Sequence, residues 1–427
     1  MKPGPKAREV IERDRGVVSP SMTRPYPLVV ERGEGSQIFD VDGNRYIDFA
    51  SSVAVKNIGY NNPEWKQAVL EQMEKITHCG FADFYAEPPV LLCEKLVELT
   101  GYEKVFLSNS GAECAEAAIK LAMWYTHRQG LVSFYQAFHG RTLGALTLTC
   151  SKVRHREHYP QLNTAYAHYG YCYRCHFNLE YPECGVACVW DIEETIFKRQ
   201  LSPEDTAAVF VEPIQGEGGY IVPPPSFHQE LRKLCDNHNL LLVIDEVQTG
   251  GYRTGTFLAQ EQYGVRGDII CLAKSLGGGL PLAATLSNNR IMSWPPGAHA
   301  NTFGGNLLAS AGGLATLNYL EKNRLGEAAK AKGEYLLKRL RELQEKHPLI
   351  GDVRGLGLMI GVELVKENKK PALKETEKLA EAAFQMGLVL LPAGDSTIRI
   401  APPLIITQRE IDEALEILEK ALKKTGN

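Results

Sequence analysis

Five short, nearly unbroken apolar runs constrain this chain more than any other feature. They are VFL (105–107), LVSFY (131–135), AAVFV (207–211), LLLVI (240–244) and DIICLA (268–273), and helical stretches separate them. Such alternation predicts an α/β fold whose mostly parallel sheet is covered on both faces. Ligands of these sheets bind beyond the carboxyl ends of the strands, and each run here is followed by functional groups. The first leads into Ser108-Asn109-Ser110-Gly111-Ala112-Glu113 and the second into Phe138-His139-Gly140-Arg141-Thr142. The third leads into Glu212-Pro213-Ile214-Gln215-Gly216-Glu217, the fourth into Asp245-Glu246-Val247-Gln248 and the fifth into Lys274.

The flanks read differently. The first 25 residues are rich in Pro, Arg and Lys and predict an arm rather than core. QIFDV and YIDFA predict two strands joined by a turn at 39–44. Pro63 to Ile76 predicts an amphipathic helix with Trp65, Val69, Met73 and Ile76 on one face. Asn318 to His347 predicts one long helix, VRGLGLMIGVEL, LVLLP and IRIAPPL a small sheet, and Gln408 to Lys424 a terminal helix.

Composition excludes several functions. Forty-seven Lys and Arg against 51 Asp and Glu leave a net charge of −4, which argues against a nucleic-acid binder held by a basic face. No run approaches the roughly 18 apolar residues of a membrane span. The charged N-terminus has no apolar signal core, and ten cysteines are too sparse for a disulfide scaffold. The expectation is a soluble, cytoplasmic, multi-domain enzyme.

Lys274 is the centre of the chemistry. Ala273 stands where a Walker phosphate loop needs glycine, so that reading fails. A lysine among apolar neighbours loses charge stabilisation and becomes a carbonyl nucleophile; otherwise it is an ordinary strand-end lysine. Asp245 ends the preceding run. A pyridoxal cofactor needs both a lysine for its Schiff base and a carboxylate to keep its ring nitrogen protonated. Ser110-Gly111-Ala112 opens a strong helix-forming stretch, a place to hold a phosphate as well as a capping box with Glu113. Phe138 has the shape to stack on a ring, although a loop phenylalanine is more often packing. Each signal is modest alone, and together they converge on one cofactor.

SNSGAE (108–113), FHGRT (138–142), EPIQGEGG (212–219), DEVQTG (245–250), LAKSLGGGLPLAA around Lys274, TFGGN (302–306) and IRIAPPL (398–404) occur in that order. With them the chain resembles the class III aminotransferases, fold-type I pyridoxal-phosphate enzymes that include the 4-aminobutyrate, acetylornithine, ornithine and ω-amine transaminases. The resemblance runs from about residue 25 to the C-terminus. It implies a large domain with a mostly parallel seven-stranded sheet and a smaller α/β domain built from both chain ends. On that reading residues 1–61 are the arm and part of the small domain, 62–310 the large cofactor-binding domain and 311–427 the C-terminal small domain.

The resemblance also implies roles. Lys274 binds pyridoxal 5′-phosphate covalently and shuttles the substrate proton, Asp245 pairs with the ring nitrogen, and Gln248 bonds the ring hydroxyl. Ser110, Gly111 and Ala112 hold the phosphate, and Thr302 reaches the phosphate of a neighbouring subunit, in a homodimer or dimer of dimers. Phe138 stacks on the ring, His139 packs beside the cofactor, and Glu212 is a second carboxylate near it. Arg399 matches the arginine for the substrate α-carboxylate, Glu217 the glutamate that neutralises Arg399 when that carboxylate is missing, and Arg141 the arginine for a distal carboxylate. Val53 stands where the ornithine-specific branch has tyrosine; it cannot bond a substrate ammonium, which favours a 4-aminobutyrate-like amine donor with a 2-oxo acid acceptor such as 2-oxoglutarate or pyruvate.

Two alternatives stay open. The arm PGPKAREVIE resembles archaeal relatives that include amino-acid racemases; those racemases lack the arginine of FHGRT, whereas Arg141 is present here. Cys172, Cys175, Cys184 and Cys188 have a spacing open to zinc, to two disulfides, or to free thiols, with no catalytic role assigned and no metal assigned to the active site. A non-catalytic zinc-loop interaction protein would make the lysine, the aspartate and the phosphate turn coincidental.

Overall fold

A computed structural model describes residues 3–426. The arm is a helix, Pro5–Val17, with proline in its first turn and only Ala7 buried. The Asp42 carboxylate accepts the Lys6 and Ala7 N–H groups at 3.2 and 3.1 Å, satisfying donors that a helix start leaves free. Strands β1 (Val30–Glu34), β2 (Gln37–Asp40) and β3 (Arg45–Asp48) follow as an antiparallel meander. Asp40 closes the β2–β3 turn by accepting the Asp42 and Asn44 N–H groups at 3.0 and 2.7 Å.

The apolar runs become parallel strands. β4 (Lys104–Ser108), β5 (Gly130–Phe134), β6 (Thr164–Ala167), β7 (Thr206–Val211), β8 (Leu241–Asp245), β9 (Ile269–Leu272) and β10 (Ala283–Ser287) form one seven-stranded sheet, ordered β4-β10-β9-β8-β7-β5-β6. Only β10 runs against its neighbours. Every residue of β5, β7, β8, β9 and β10 is buried, as a sheet covered on both faces requires. Ser108, Glu212, Asp245 and Lys274 therefore gather along one edge.

The small sheets join both chain ends. β11 (Ile350–Leu356), β12 (Met359–Leu364), β14 (Leu391–Ala393) and β15 (Thr397–Ile400) form one sheet, and β13 (Leu388–Val389) pairs in parallel with β3. A single core packs Tyr26, Ile38 and Ile47 against Leu340, Phe384 and Leu418. The expected long helix at 318–347 is instead two, Leu307–Lys322 and Leu325–Lys346, broken where Arg324 takes φ +50°. The helix Pro63–Lys75 buries Val69, but Met73 and Ile76 are half-exposed. No helix among the described residues is long and apolar enough to cross a membrane.

After β3 the chain enters a left-handed turn. Ser51, Ser52, Val53 and Ala54 all have positive φ, between 41° and 63°. That conformation costs L-residues about 1–2 kcal/mol each, and a β-branched valine there is unusual. Asp48 supplies the compensation. Its Oδ1 accepts the Ala50 and Ser51 N–H groups at 2.8 and 3.0 Å, its Oδ2 accepts the Tyr60 hydroxyl at 2.6 Å, and Ser51 Oγ donates to the Ala401 carbonyl at 2.5 Å. Asp48→Ala, which strands two buried N–H donors and removes the partner of the half-buried Tyr60 hydroxyl, should cost about 2–4 kcal/mol in denaturant unfolding. Asp48→Asn, which keeps an acceptor for the two N–H groups, should cost clearly less.

Candidate active site

Beyond β9 the chain turns sharply. Lys274 takes φ +44°, a strained conformation for a non-glycine residue, and opens a tight helical turn to Gly277. Burial pulls its pKa down, and the charges of Asp245 and Glu212 only partly oppose this; Arg399 and Glu217 lie within electrostatic reach as well. The amine therefore sheds its proton more readily than a surface lysine does.

Asp245, at the end of β8, is 6% exposed. Its Oδ2 lies 2.7 Å from His139 Nδ1, and its Oδ1 accepts the Val247 N–H at 2.9 Å. Burial alone would lower the pKa of His139, but the bond to Asp245 and the nearby negative charges hold it above the usual value. His139 is thus Asp245's partner, a closer role than packing. Its Nε2 is buried without a hydrogen-bond partner among the described residues. Glu212 follows β7; its carboxylate accepts the Phe138 and Gly216 N–H groups at 3.2 and 3.0 Å. Burial, reinforced by Asp245, pushes it up to about 7 against the opposing charge of His139. Glu212 fixes two loops, the one carrying Phe138 and the one carrying Glu217.

The Ser110 turn is a helix start. Ser110 caps the helix Gly111–Thr126 by accepting the Glu113 N–H at 3.2 Å. The Glu113 carboxylate reaches back to the Asn109 N–H (2.9 Å) instead of the Ser110 N–H of the expected box. The Gly111 and Ala112 N–H groups are first-turn donors that a helix cannot satisfy internally. A Cβ at Gly111 would stand 2.9 Å from Val247 Cγ1, so glycine is needed for the close approach.

Two cationic stations stand outward of this centre. Arg399, on β15 and 8% exposed, places Nη1 3.2 Å from Glu217 Oε2, and its Nε is buried without a partner among the described residues. Arg141 is exposed; its guanidinium lies 5.8 Å from the Phe138 ring centroid, and its Nη2 is 3.3 Å from His155 Nε2. Gln248 is buried and accepts the Tyr220 hydroxyl at 2.8 Å. Arg354, on β11, anchors the Glu217 loop by donating to the Gly219 and Tyr220 carbonyls at 2.7 and 3.0 Å. Glu363, on β12, accepts from Arg354 (2.6 Å), from Arg174 (2.5 Å) and from the Tyr171 hydroxyl.

The structure thus assembles Lys274, Asp245, His139 and Glu212, with Arg399 and Glu217 in electrostatic reach. Val53 is half-buried in its left-handed turn. Thr302 is exposed on a loop that Asn301 ties to the Leu107 carbonyl at 3.1 Å, at the end of β4. Sequence reasoning missed Tyr220, Arg354 and Lys152, whose Nζ lies 3.4 Å from Glu217 Oε1. Only Tyr220 had a local signal, being next to EPIQGEGG. The four loop cysteines line one small cavity as free thiols.

The model of the class III aminotransferases matches residues 18–422. The chain belongs to the class III aminotransferase family. It is 39% identical to the alanine/serine racemase of Pyrococcus horikoshii over 99% of this chain and 92% of the racemase. It is 38% identical to the 5-aminovalerate aminotransferase of Pseudomonas aeruginosa over 96% of each chain. An amine transaminase from an uncultivated Pseudomonas species, solved with pyridoxal phosphate bound, superposes with a TM-score of 0.89 at 31% identity, covering 96% of this chain and 97% of that one.

The cofactor of this family member is pyridoxal phosphate, and the residues fit it. A buried, hydrogen-bonded carboxylate, an amine with depressed pKa and a glycine-opened helix start face one edge of the sheet. Because the Lys274 pKa is lowered, its reaction in apoprotein with an amine-directed reagent should rise at lower pH than that of exposed lysines. Peptide mapping across roughly pH 7–10 reads this directly. Labelling of Lys274 that follows the surface lysines would contradict the electrostatics.

Proposed function

We propose that this enzyme moves an amino group from an ω-amino acid of the 4-aminobutyrate type to a 2-oxo acid such as 2-oxoglutarate or pyruvate, in two half-reactions that share one pocket. The observation that carries the reading is the pair of cationic stations: Arg399 has its own counter-ion, 3.2 Å away, whereas Arg141 has no carboxylate partner among the described residues. An ω-amine leaves Arg399 without a substrate carboxylate, and a lone, nearly buried guanidinium is costly. Glu217 neutralises it while Arg141 holds the distal carboxylate. With glutamate or 2-oxoglutarate, Arg399 leaves Glu217 and grips the α-carboxylate as a bidentate fork.

When bound, pyridoxal phosphate withdraws electrons from the amine-bearing carbon, which lets that carbon lose a proton. Lys274 Nζ, the amine that first holds the cofactor, takes that proton and returns it. Asp245 would pair with the ring nitrogen, and His139 holds its carboxylate in place. Gln248, oriented by Tyr220, would bond the ring hydroxyl, and Phe138 would cover the ring. Ser110 and the Gly111 and Ala112 N–H groups would hold the phosphate. Val53 offers an apolar wall and no acceptor for a second ammonium.

Thr302 completes the phosphate site of a second copy, in a homodimer or dimer of dimers. Supporting this, Phe84, Tyr85, Met73, Ile76 and Phe303 are exposed, and a cavity of about 700 Å³ lies between Ile76, Phe84, Tyr85 and Leu314. So large an apolar face is what a subunit interface covers.

The racemase relative favours a second reading, amino-acid racemisation by the same lysine. Incubation with L-alanine and no oxo acid discriminates them: the transaminase reading expects no catalytic formation of D-alanine, and sustained formation would overturn it. In single-turnover spectra, Arg141→Met should weaken the 4-aminobutyrate half-reaction, and Arg399→Met should cost the glutamate half-reaction roughly 2–5 kcal/mol. Equal losses in both half-reactions for both variants would remove the two-station account.

A further inference from the structure

Glu217 is shared by two cations. Arg399 Nη1 sits 3.2 Å from Oε2, and Lys152 Nζ sits 3.4 Å from Oε1, so each carboxylate oxygen has its own partner. The partners differ in setting: the Arg399 side chain is 10% exposed and that of Lys152 45% exposed. Lys152 comes just before the short helix Val153–Arg156, which also carries His155. Burial, then the charges of Arg141 and Lys152, lower the His155 pKa, so a neutral ring accepts from Arg141 at 3.3 Å. One segment, residues 152–155, therefore touches both stations: Glu217 through Lys152 and Arg141 through His155.

We propose that Lys152 is a specificity-determining residue that holds the Glu217 charge whenever a ligand's α-carboxylate takes Arg399. The proposal rests on the reading of Arg399 as the α-carboxylate station. Departure of Arg399 would otherwise leave Glu217 as an unpaired carboxylate next to an incoming one, and like charges at close range disfavour binding. Lys152 already lies on the outer oxygen, so the exchange needs no new partner. It also borders a cavity of about 440 Å³ with Pro392, Gly394 and Asp395, which gives its ammonium room to follow the carboxylate. With an ω-amine, Glu217 remains on Arg399 and Lys152 is dispensable. Lys152 thus eases entry of the α-carboxylate substrate alone.

Binding to the holoenzyme tests this without turnover. Glutarate, which has two carboxylates and no amine, probes both stations, and butyrate probes a single carboxylate site; calorimetry at fixed ionic strength gives both affinities. Lys152→Met should weaken glutarate about fivefold, the upper range for a partly exposed ion pair, and leave butyrate within about twofold. Lys152→Arg should restore glutarate binding. In a Glu217→Gln background, Lys152→Met should have no further effect, because the charge it serves is gone. Equal weakening in both backgrounds would show general anion attraction and overturn the proposal, as would no weakening in the single variant. Arg399→Met should itself weaken glutarate. If it does not, the α-carboxylate reading fails and this inference with it; dependence on Arg399 without dependence on Lys152 defeats the inference alone.

Discussion

The buried contact between Asp245 and His139 is the constraint on which the rest of the centre depends. A carboxylate at the end of β8, 6% exposed, needs hydrogen bonds and a counter-charge. His139 supplies both at 2.7 Å, and that fixes the loop after β5. The same loop sends the Phe138 N–H to Glu212, which in turn holds the Gly216 N–H and the start of the Glu217 loop. The negative charges of Asp245 and Glu212 then face Lys274, whose burial would otherwise depress its pKa further.

Much of the fold was legible because its signals are local. Continuous apolar runs mark strands buried on both faces, and all five became parallel strands. β6 was missed because TAYA is a half-exposed edge strand, and β10 because AATLS follows a Gly- and Pro-rich stretch and has few bulky side chains. The break between the helices at 322 and 325 was hidden because Asn323-Arg324 contains neither Gly nor Pro. Met73 and Ile76 follow the helical period, yet the described residues cover only about half of each.

The site divides the same way. Lys274, Asp245 and the Ser110 turn were visible as strand ends and a cap. Pairings that cross the sequence were not: Lys152 meets Glu217 65 residues away, and Arg354 meets Gly219 135 residues away. No periodicity encodes such contacts; they arise when the strand edges and the small sheet come together. His139 was placed near the cofactor by its motif, but its partnership with Asp245 is tertiary.

The Arg354 cluster has a mechanical consequence. β15, which carries Arg399, pairs with β12, which carries Glu363, and Glu363 holds both Arg354 and the Tyr171–Arg174 segment. Arg354 grips the carbonyls of Gly219 and Tyr220, and the Tyr220 hydroxyl reaches Gln248. On the proposed roles, the arginine for a substrate carboxylate and the glutamine beside the cofactor ring are therefore parts of one lever with a shared fulcrum at Glu363. Loosening that fulcrum would then loosen both stations in the same motion.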